Sequence, residues 1–291
     1  MISISLIGAG YLGRFHALNL SELEGIRFAG IYDINKQRAQ EVAQEADTEV
    51  FESLDEAIGS SNALVIASPT TTHYEIALRA IHAGRDVFIE KPITSTIEEA
   101  ESLISEAEKG GRIIQVGHLE RFNPAVMKAT EMLEEPVFYE AERLSPFLGR
   151  GTDVDITLDL MIHDIDIILA ITGSKVKEIR AVGARVLTDN VDVAKAWLVF
   201  ENSAQACLTA SRLSHQKRRV LRVFQDNGMI EIDYQKPMLT VYGKENSGIE
   251  KREFLFDSPN PLREELRDFV DAIKKRRSPL VNAEQALEAM K

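Results

Sequence analysis

Cysteine occurs once in the 291 residues, as Cys207, so no disulfide within the chain can hold the fold. Six histidines and that lone cysteine show neither HExxH nor paired CxxC spacing, so no metal site is legible. No apolar run is long enough to cross a bilayer. The opening MISISLIGAG lacks a basic leader region and a cleavage site, which gives a cytoplasmic protein as the expectation. Positive charge is also scarce: 34 Lys and Arg stand against 46 Asp and Glu, for a net −12. That balance argues against nucleic acid and against an anionic membrane as partners. The one basic cluster, Lys274 to Arg277, reads as the last turn of a helix stopped near Pro279. Repeats and low-complexity linkers are absent.

What is present is ordinary globular composition, 44% apolar and 27% charged, in a chain long enough for two domains. Residues 2–20, ISISLIGAGYLGRFHALNL, give an apolar strand, a glycine turn and a helix pattern. Gly8, Gly10 and Gly13 form GxGxxG, followed by a second strand ending at Asp33, 20 residues after Gly13. That context is the dinucleotide fingerprint. Gly8 permits the turn, Gly10 lets backbone approach a pyrophosphate, and Gly13 lets helix and strand pack. Tyr11 and Leu12 lie within the loop, with Arg14 beside it, and the helix N-terminus offers N–H groups to phosphate. Asp33 suits ribose hydroxyls and repels a 2′-phosphate, so NAD is preferred. Lys36 and Arg38 lie near enough to a phosphate to keep NADP as the alternative.

Strands and helices then alternate to about residue 118, which implies a doubly wound parallel sheet with ligands beyond its carboxyl ends. Those ends carry Asp33, Ser68-Pro69-Thr70, Glu90-Lys91-Pro92 and Gly117-His118, and His73 follows nearby. After residue 121 the pattern changes to period-two strands separated by turns such as Asn202-Ser203 and Asp226-Asn227-Gly228, with a last helix over 262–275. The expected architecture is α/β: a Rossmann domain over 1–121, then an α+β domain over 122–291 with a large, mostly antiparallel open sheet. The chain stops on AEQALEAMK, a helical pattern still in progress.

LDLMIHDIDIILAI, residues 158–171, is greasy yet carries a histidine and three aspartates. On a regular helix Asp155, Asp159, His163 and Asp166 fall within about 80° of one another. An ordinary solvated face would carry Lys, Glu or Arg; this stripe suits the lining of a cleft. Buried structural His–Asp pairs give the same pattern. Arg121 and Asn123 are candidate substrate contacts, an ion pair or helix cap being the competing reading. His73 is a candidate at the cofactor or a packing residue.

Four blocks, GAGYLGRFHALNL, SPTTTHYEIALRAIHAGRDVFIEKP, VGHLERFNPA and DVDITLDLMIHDID, occur in this order. With them the chain resembles the glucose–fructose oxidoreductase, inositol dehydrogenase and MocA family over essentially its whole length. The resemblance implies a nicotinamide-dependent oxidoreductase acting on a sugar hydroxyl, assembled as a dimer or tetramer through the C-terminal sheet. It implies catalytic roles for Lys91, Asp159 and His163. His163 suits the general base and Asp159 its orienting partner, while the Lys91 and His163 roles remain exchangeable. Many members have a glycine pair before the Asp; RGTDVDITLD departs from that. Within the family the blocks look most like the branch that oxidises the 3-hydroxyl of UDP-N-acetylglucosamine. A reductase of a non-sugar substrate, as in biliverdin-reductase-like relatives, and a non-catalytic dinucleotide sensor are the alternatives.

Overall fold

A computed structural model describes every residue except 148, 150–153, 227, 237, 246, 247 and 257–259. The turn position Asn227 and the RGTD departure lie outside the described residues. Two units emerge: Met1–Leu119 with Asn260–Lys291, and Glu120–Pro259.

In the first unit the elements run β1 (Ile2–Ile7), α1 (Tyr11–Ser21), β2 (Ile26–Tyr32), α2 (Lys36–Glu45), α3 (Leu54–Gly59), β3 (Ala63–Ile66), α4 (His73–His82), β4 (Asp86–Glu90), α5 (Ile97–Gly110) and β5 (Ile114–Gly117). The five strands are parallel in the order β2-β1-β3-β4-β5. Strands β3, β4 and β5 are buried along their whole length, as expected of a sheet covered on both faces. Order reverses between β1 and β3, so the crevice beyond their carboxyl ends is the switch point where such sheets take ligands. Helix α5 is fixed at its start by a Thr96–Glu99 capping box and at its end by Gly111 in the left-handed conformation.

The second unit contains α6 (Pro124–Met132), β6 (Phe138–Leu144), a π-helical turn (Thr157–Met161) and α7 (Ile162–Thr172). Then come β7 (Val176–Ala184), β8 (Val193–Phe200), β9 (Gln205–Ser211), β10 (Arg218–Gln225), β11 (Gly228–Asp233), β12 (Met238–Glu245) and β13 (Gly248–Leu255). They form one eight-stranded sheet, β13-β12-β11-β10-β6-β9-β8-β7. All its pairings are antiparallel except β6 with β9. One face buries Tyr139, Ala141, Leu208, Leu221, Val223 and Ile232 with α6 and α7 residues such as Val126 and Ile168. Period-two alternation makes that one-sided core.

The chain then returns to the first unit as α8 (Pro261–Lys275) and α9 (Ala283–Met290). This corrects the division at 121/122 with everything after it in the second domain. Leu266, Phe269 and Val270 of α8 pack into the same core as Ile4, Leu6 and Phe88. The apolar face of α8 was legible in sequence; the sheet it covers was not. No helix among the described residues is long and apolar enough to cross a membrane.

Candidate functional site

The first unit builds its candidate dinucleotide loop from glycine. Gly8 has φ +100°, and a Cβ there would sit 2.7 Å from the Ala67 backbone at the end of β3. A Cβ on Gly13 would lie 2.0 Å from the Gly8 carbonyl, so only glycine lets α1 start this close to β1. At Gly10 no described atom comes within 4 Å of the same position, leaving backbone open to an approaching group. Gly10 is the N-cap of α1 and makes no side-chain cap, so the first-turn N–H groups are presented outward with the helix dipole. The three glycines thus do the three jobs a pyrophosphate-binding loop requires. Tyr11 and Leu12 are exposed at the helix start. Arg14, expected beside the pyrophosphate, is ion-paired to Glu45 at 2.6 Å.

Asp33 follows β2 and has two structural jobs. Its carboxylate accepts the Ala9 N–H at 2.7 Å, bracing the glycine loop, and the Asn35 N–H at 2.8 Å. Each oxygen retains a lone pair for a hydroxyl donor. Lys36, one of the two cations considered for a 2′-phosphate, is ion-paired with Glu52; Arg38 is exposed.

Ser68, Pro69 and Thr70 form the loop after β3, where Ser68 and Thr72 hydroxyls bond at 2.7 Å. His73 is buried, with Nε2 at 2.9 Å from the Ser68 carbonyl and Nδ1 at 2.9 Å from the Pro92 carbonyl. It ties the β3 loop to the β4 loop, the packing role weighed for it. Burial pushes its pKa down, against the two carbonyls, which favour the charged ring.

Glu90, expected at the cofactor, is turned inward. It is 7% exposed, with Oε1 2.6 Å from His16 Nε2 and Oε2 accepting the Lys91 N–H at 3.3 Å. Burial opposes its ionisation, but the His16 hydrogen bond and the charges of His16 and Lys91 outweigh that and hold the carboxyl below its ordinary value. Lys91 itself is half-buried, and the Lys91–Pro92 peptide is cis.

In the second unit the expected four-residue stripe does not survive intact. The helix opens with a π turn, in which the Ile162 N–H reaches back five residues to the Thr157 carbonyl. The regular 100° step therefore fails across Asp159; such bulges recur at functional sites. Asp155 lies before the helix and accepts the Val191 N–H at 2.7 Å. Asp166 is buried and faces Arg121 across 3.5 Å. Asp159 and His163 remain, half-buried on the π turn and the first turn of α7.

Asp164, which fell outside the stripe, proves central. Arg143 Nε and Nη2 donate to its two oxygens at 3.0 and 2.9 Å, and Nη1 donates to Glu120 at 3.1 Å. Arg143 is 1% exposed and stacks over Tyr234 at 5.0 Å. Burial disfavours the guanidinium charge, yet Asp164 and Glu120 push its pKa up. Arg219 lies opposite Arg143 in the β10–β6 register. Burial and the like charge of Arg143 lower its pKa, while Glu120, Asp164 and Asp159 act in the other direction. Of the two expected substrate contacts, Arg121 is mostly buried against Asp166, and Asn123 caps α6. The Asn123 Oδ1 accepts the Ala125 N–H at 3.0 Å and its Nδ2 donates to Glu120 at 3.3 Å. The competing reading of both, as ion pair and cap, is what the fold uses.

The loop, the parallel sheet and the acid after β2 define a dinucleotide-binding protein. A family model described as "Oxidoreductase family, NAD-binding Rossmann fold" matches residues 2–118, and one for the GFO/IDH/MocA C-terminal domain matches 137–231. The UDP-N-acetylglucosamine 3-dehydrogenase of Acidithiobacillus ferrooxidans is 36% identical over 279 residues, covering 94% of this chain and 88% of the relative. A crystal form of it superposes with a TM-score of 0.95, covering 99% of this chain and 94% of that one. The myo-inositol 2-dehydrogenase of Thermotoga maritima is 27% identical over 99% of this chain and 92% of its own. This chain belongs to the GFO/IDH/MocA family of oxidoreductases, and the two relatives named are dehydrogenases of UDP-N-acetylglucosamine and of myo-inositol.

Proposed function

We propose that the protein is an NAD-dependent dehydrogenase of a nucleotide sugar, oxidising the 3-hydroxyl of UDP-N-acetylglucosamine. The observation that carries this reading is the near full-length similarity to the Acidithiobacillus enzyme, 36% identical over 94% of the chain. Bound at Gly8–Gly13 and Asp33, NAD supplies a hydride acceptor for the carbinol carbon. Lys91 donates a hydrogen bond to the reacting oxygen and stabilises the charge that develops there. His163 accepts the hydroxyl proton, and Asp159 orients the imidazole and favours its protonated form. With the hydroxyl proton on His163, a bound NAD would take the two electrons as hydride, and the sugar product would be a ketone. A homo-oligomer through the open face of the eight-stranded sheet fits the exposed Val182 and Trp197 there.

The direct test is NADH formation with UDP-N-acetylglucosamine, other UDP-sugars, free hexoses and inositols. The expected result is a kcat/KM for UDP-N-acetylglucosamine at least about tenfold above any other, a gap of ~1.4 kcal/mol in transition-state binding. A higher value for an inositol would move the assignment to the cyclitol branch, and no turnover with tight NAD binding would indicate a sensor.

The Asp33 charge and the engagement of Lys36 by Glu52 support NAD over NADP. Asp33→Asn keeps an oxygen for the Ala9 N–H and removes the charge. Fluorescence titration is expected to show the NAD-over-NADP preference falling roughly tenfold, within the range of one short-range charge repulsion near a protein surface. An unchanged ratio would place cofactor selection elsewhere.

A further inference from the structure

The first unit holds a charged cluster that the proposed reaction does not use directly. His16 from α1, Glu90 from the end of β4 and Glu265 from α8 bring one side-chain nitrogen or oxygen each within 4.8 Å of one another. Exposure is 0%, 7% and 0% respectively. His16 and Glu90 are paired at 2.6 Å. Both Glu265 oxygens are buried without a hydrogen-bond partner among the described residues. The surroundings are apolar: His16 packs edge-on against Phe88 at 5.3 Å, and Phe88 against Phe269 at 5.9 Å. From β5, Gln115 donates its side-chain N–H to the Glu265 main-chain carbonyl at 2.7 Å, not to the carboxyl. The titratable groups whose charges reach Glu90 are His16, Lys91, His73 and Glu265.

A dry carboxylate with no donor, beside a second carboxylate, is not tenable; it takes up a proton. As a neutral acid, Glu265 has one O–H to give, and the nearest charged acceptor is Glu90. We propose that Glu265 is a neutral acid that hydrogen-bonds Glu90, and that this acid–carboxylate–imidazole set is a buried mount that positions Lys91. The connection is short, because Glu90 also accepts the Lys91 main-chain N–H. Burial and the Glu90 charge push the Glu265 carboxyl well up, while His16 and Lys91 hold Glu90 down, so the cluster keeps one proton on Glu265.

A divalent cation is the other way to occupy such a trio. Two ligands at about 2.0–2.1 Å from one ion stand about 2.9–3.4 Å apart in octahedral or tetrahedral geometry. The 2.6 Å His16–Glu90 separation is a hydrogen bond instead.

The positioning role rests on Lys91 acting at the substrate; the protonation does not, and the test separates the two. Infrared difference spectra of the whole protein are expected to show the carbonyl stretch of a protonated acid persisting to mildly alkaline pH. That band should vanish in Glu265→Gln, which keeps a neutral donor to Glu90. Glu265→Gln should retain turnover within about threefold, with an unchanged pH profile. Glu265→Leu, which has no donor, should lose about tenfold or more in kcat with little change in KM for NAD, an acid–base-sized effect. If Glu265→Leu does not fold, the band and Glu265→Gln still decide. No protonated-acid band, equal damage in the Gln and Leu variants, or one bound metal per chain lost in both would overturn the proposal. A normal band with full activity in Lys91→Ala would leave the neutral acid standing and remove its catalytic purpose.

Discussion

Replacing Lys91 by alanine, and separately His163 by alanine, is expected to lower turnover by about 10²-fold or more while NAD binds nearly as before. The two substitutions remove different things. Lys91 directly follows β4, and its main chain is held by Glu90. Truncating its side chain leaves the glycine loop and the Asp33 brace untouched, so the dinucleotide should still bind. What goes is a cation at the developing alkoxide, the kind of contact that matters most in the transition state. His163 lies in the second unit, outside the loop that would hold the cofactor, and its loss would remove the proposed proton acceptor. His163→Ala should therefore be partly rescued as pH rises, because hydroxide and water replace the base, whereas Lys91→Ala should not. Both residues are half-buried, so thermal midpoints should move little. Full turnover in either variant would remove that residue from the mechanism.

The largest effect on stability is expected from Arg143→Leu. The guanidinium is buried and makes three hydrogen bonds to two carboxylates. Removing it strands Asp164, itself 2% exposed, without its cation. Breaking a buried pair on one side costs about 3–5 kcal/mol, mostly the penalty of the charge left behind. Asp164→Leu should cost a similar amount for the converse reason. The double variant should recover much of the loss, because it removes the deeply buried charge of Asp164 and leaves only the less buried Glu120 without its cation. Urea unfolding of the four proteins closes the cycle. Additive losses would mean that the pair is not the unit holding α7 to β6.

Much of this molecule was legible before any coordinates, where local sequence fixes local geometry. Gly8, Gly10 and Gly13 announced a turn, an open approach and a tight packing contact, and each does that work. Period-two alternation in β6 and β8 through β11 implied one buried face, which the sheet has. The stripe on residues 155–166 failed because a helical wheel assumes constant pitch, and a π turn interrupts it at Asp159. Asp164 lies outside the stripe, and its partner, 21 residues earlier on a strand, could not be read from the helix alone. Nothing in the sequence pattern of α8 marks Glu265. Only the return of α8 onto the first sheet buries it beside Glu90. His16 did leave a trace: with Gly13, Ala17 and Leu20 it lies on the buried stripe of α1, where a histidine needs a partner. That partner, Glu90, is 74 residues away.

The central claim is hydride removal from a particular sugar carbon. Incubating the protein with NAD and UDP-N-acetylglucosamine deuterated at C3, then weighing the reduced dinucleotide, tests it most directly. NADH carrying one deuterium, alongside a 3-keto nucleotide sugar, is the result expected. Unlabelled NADH would place the oxidation at another carbon, and no NADH at all would contradict the assignment of this substrate.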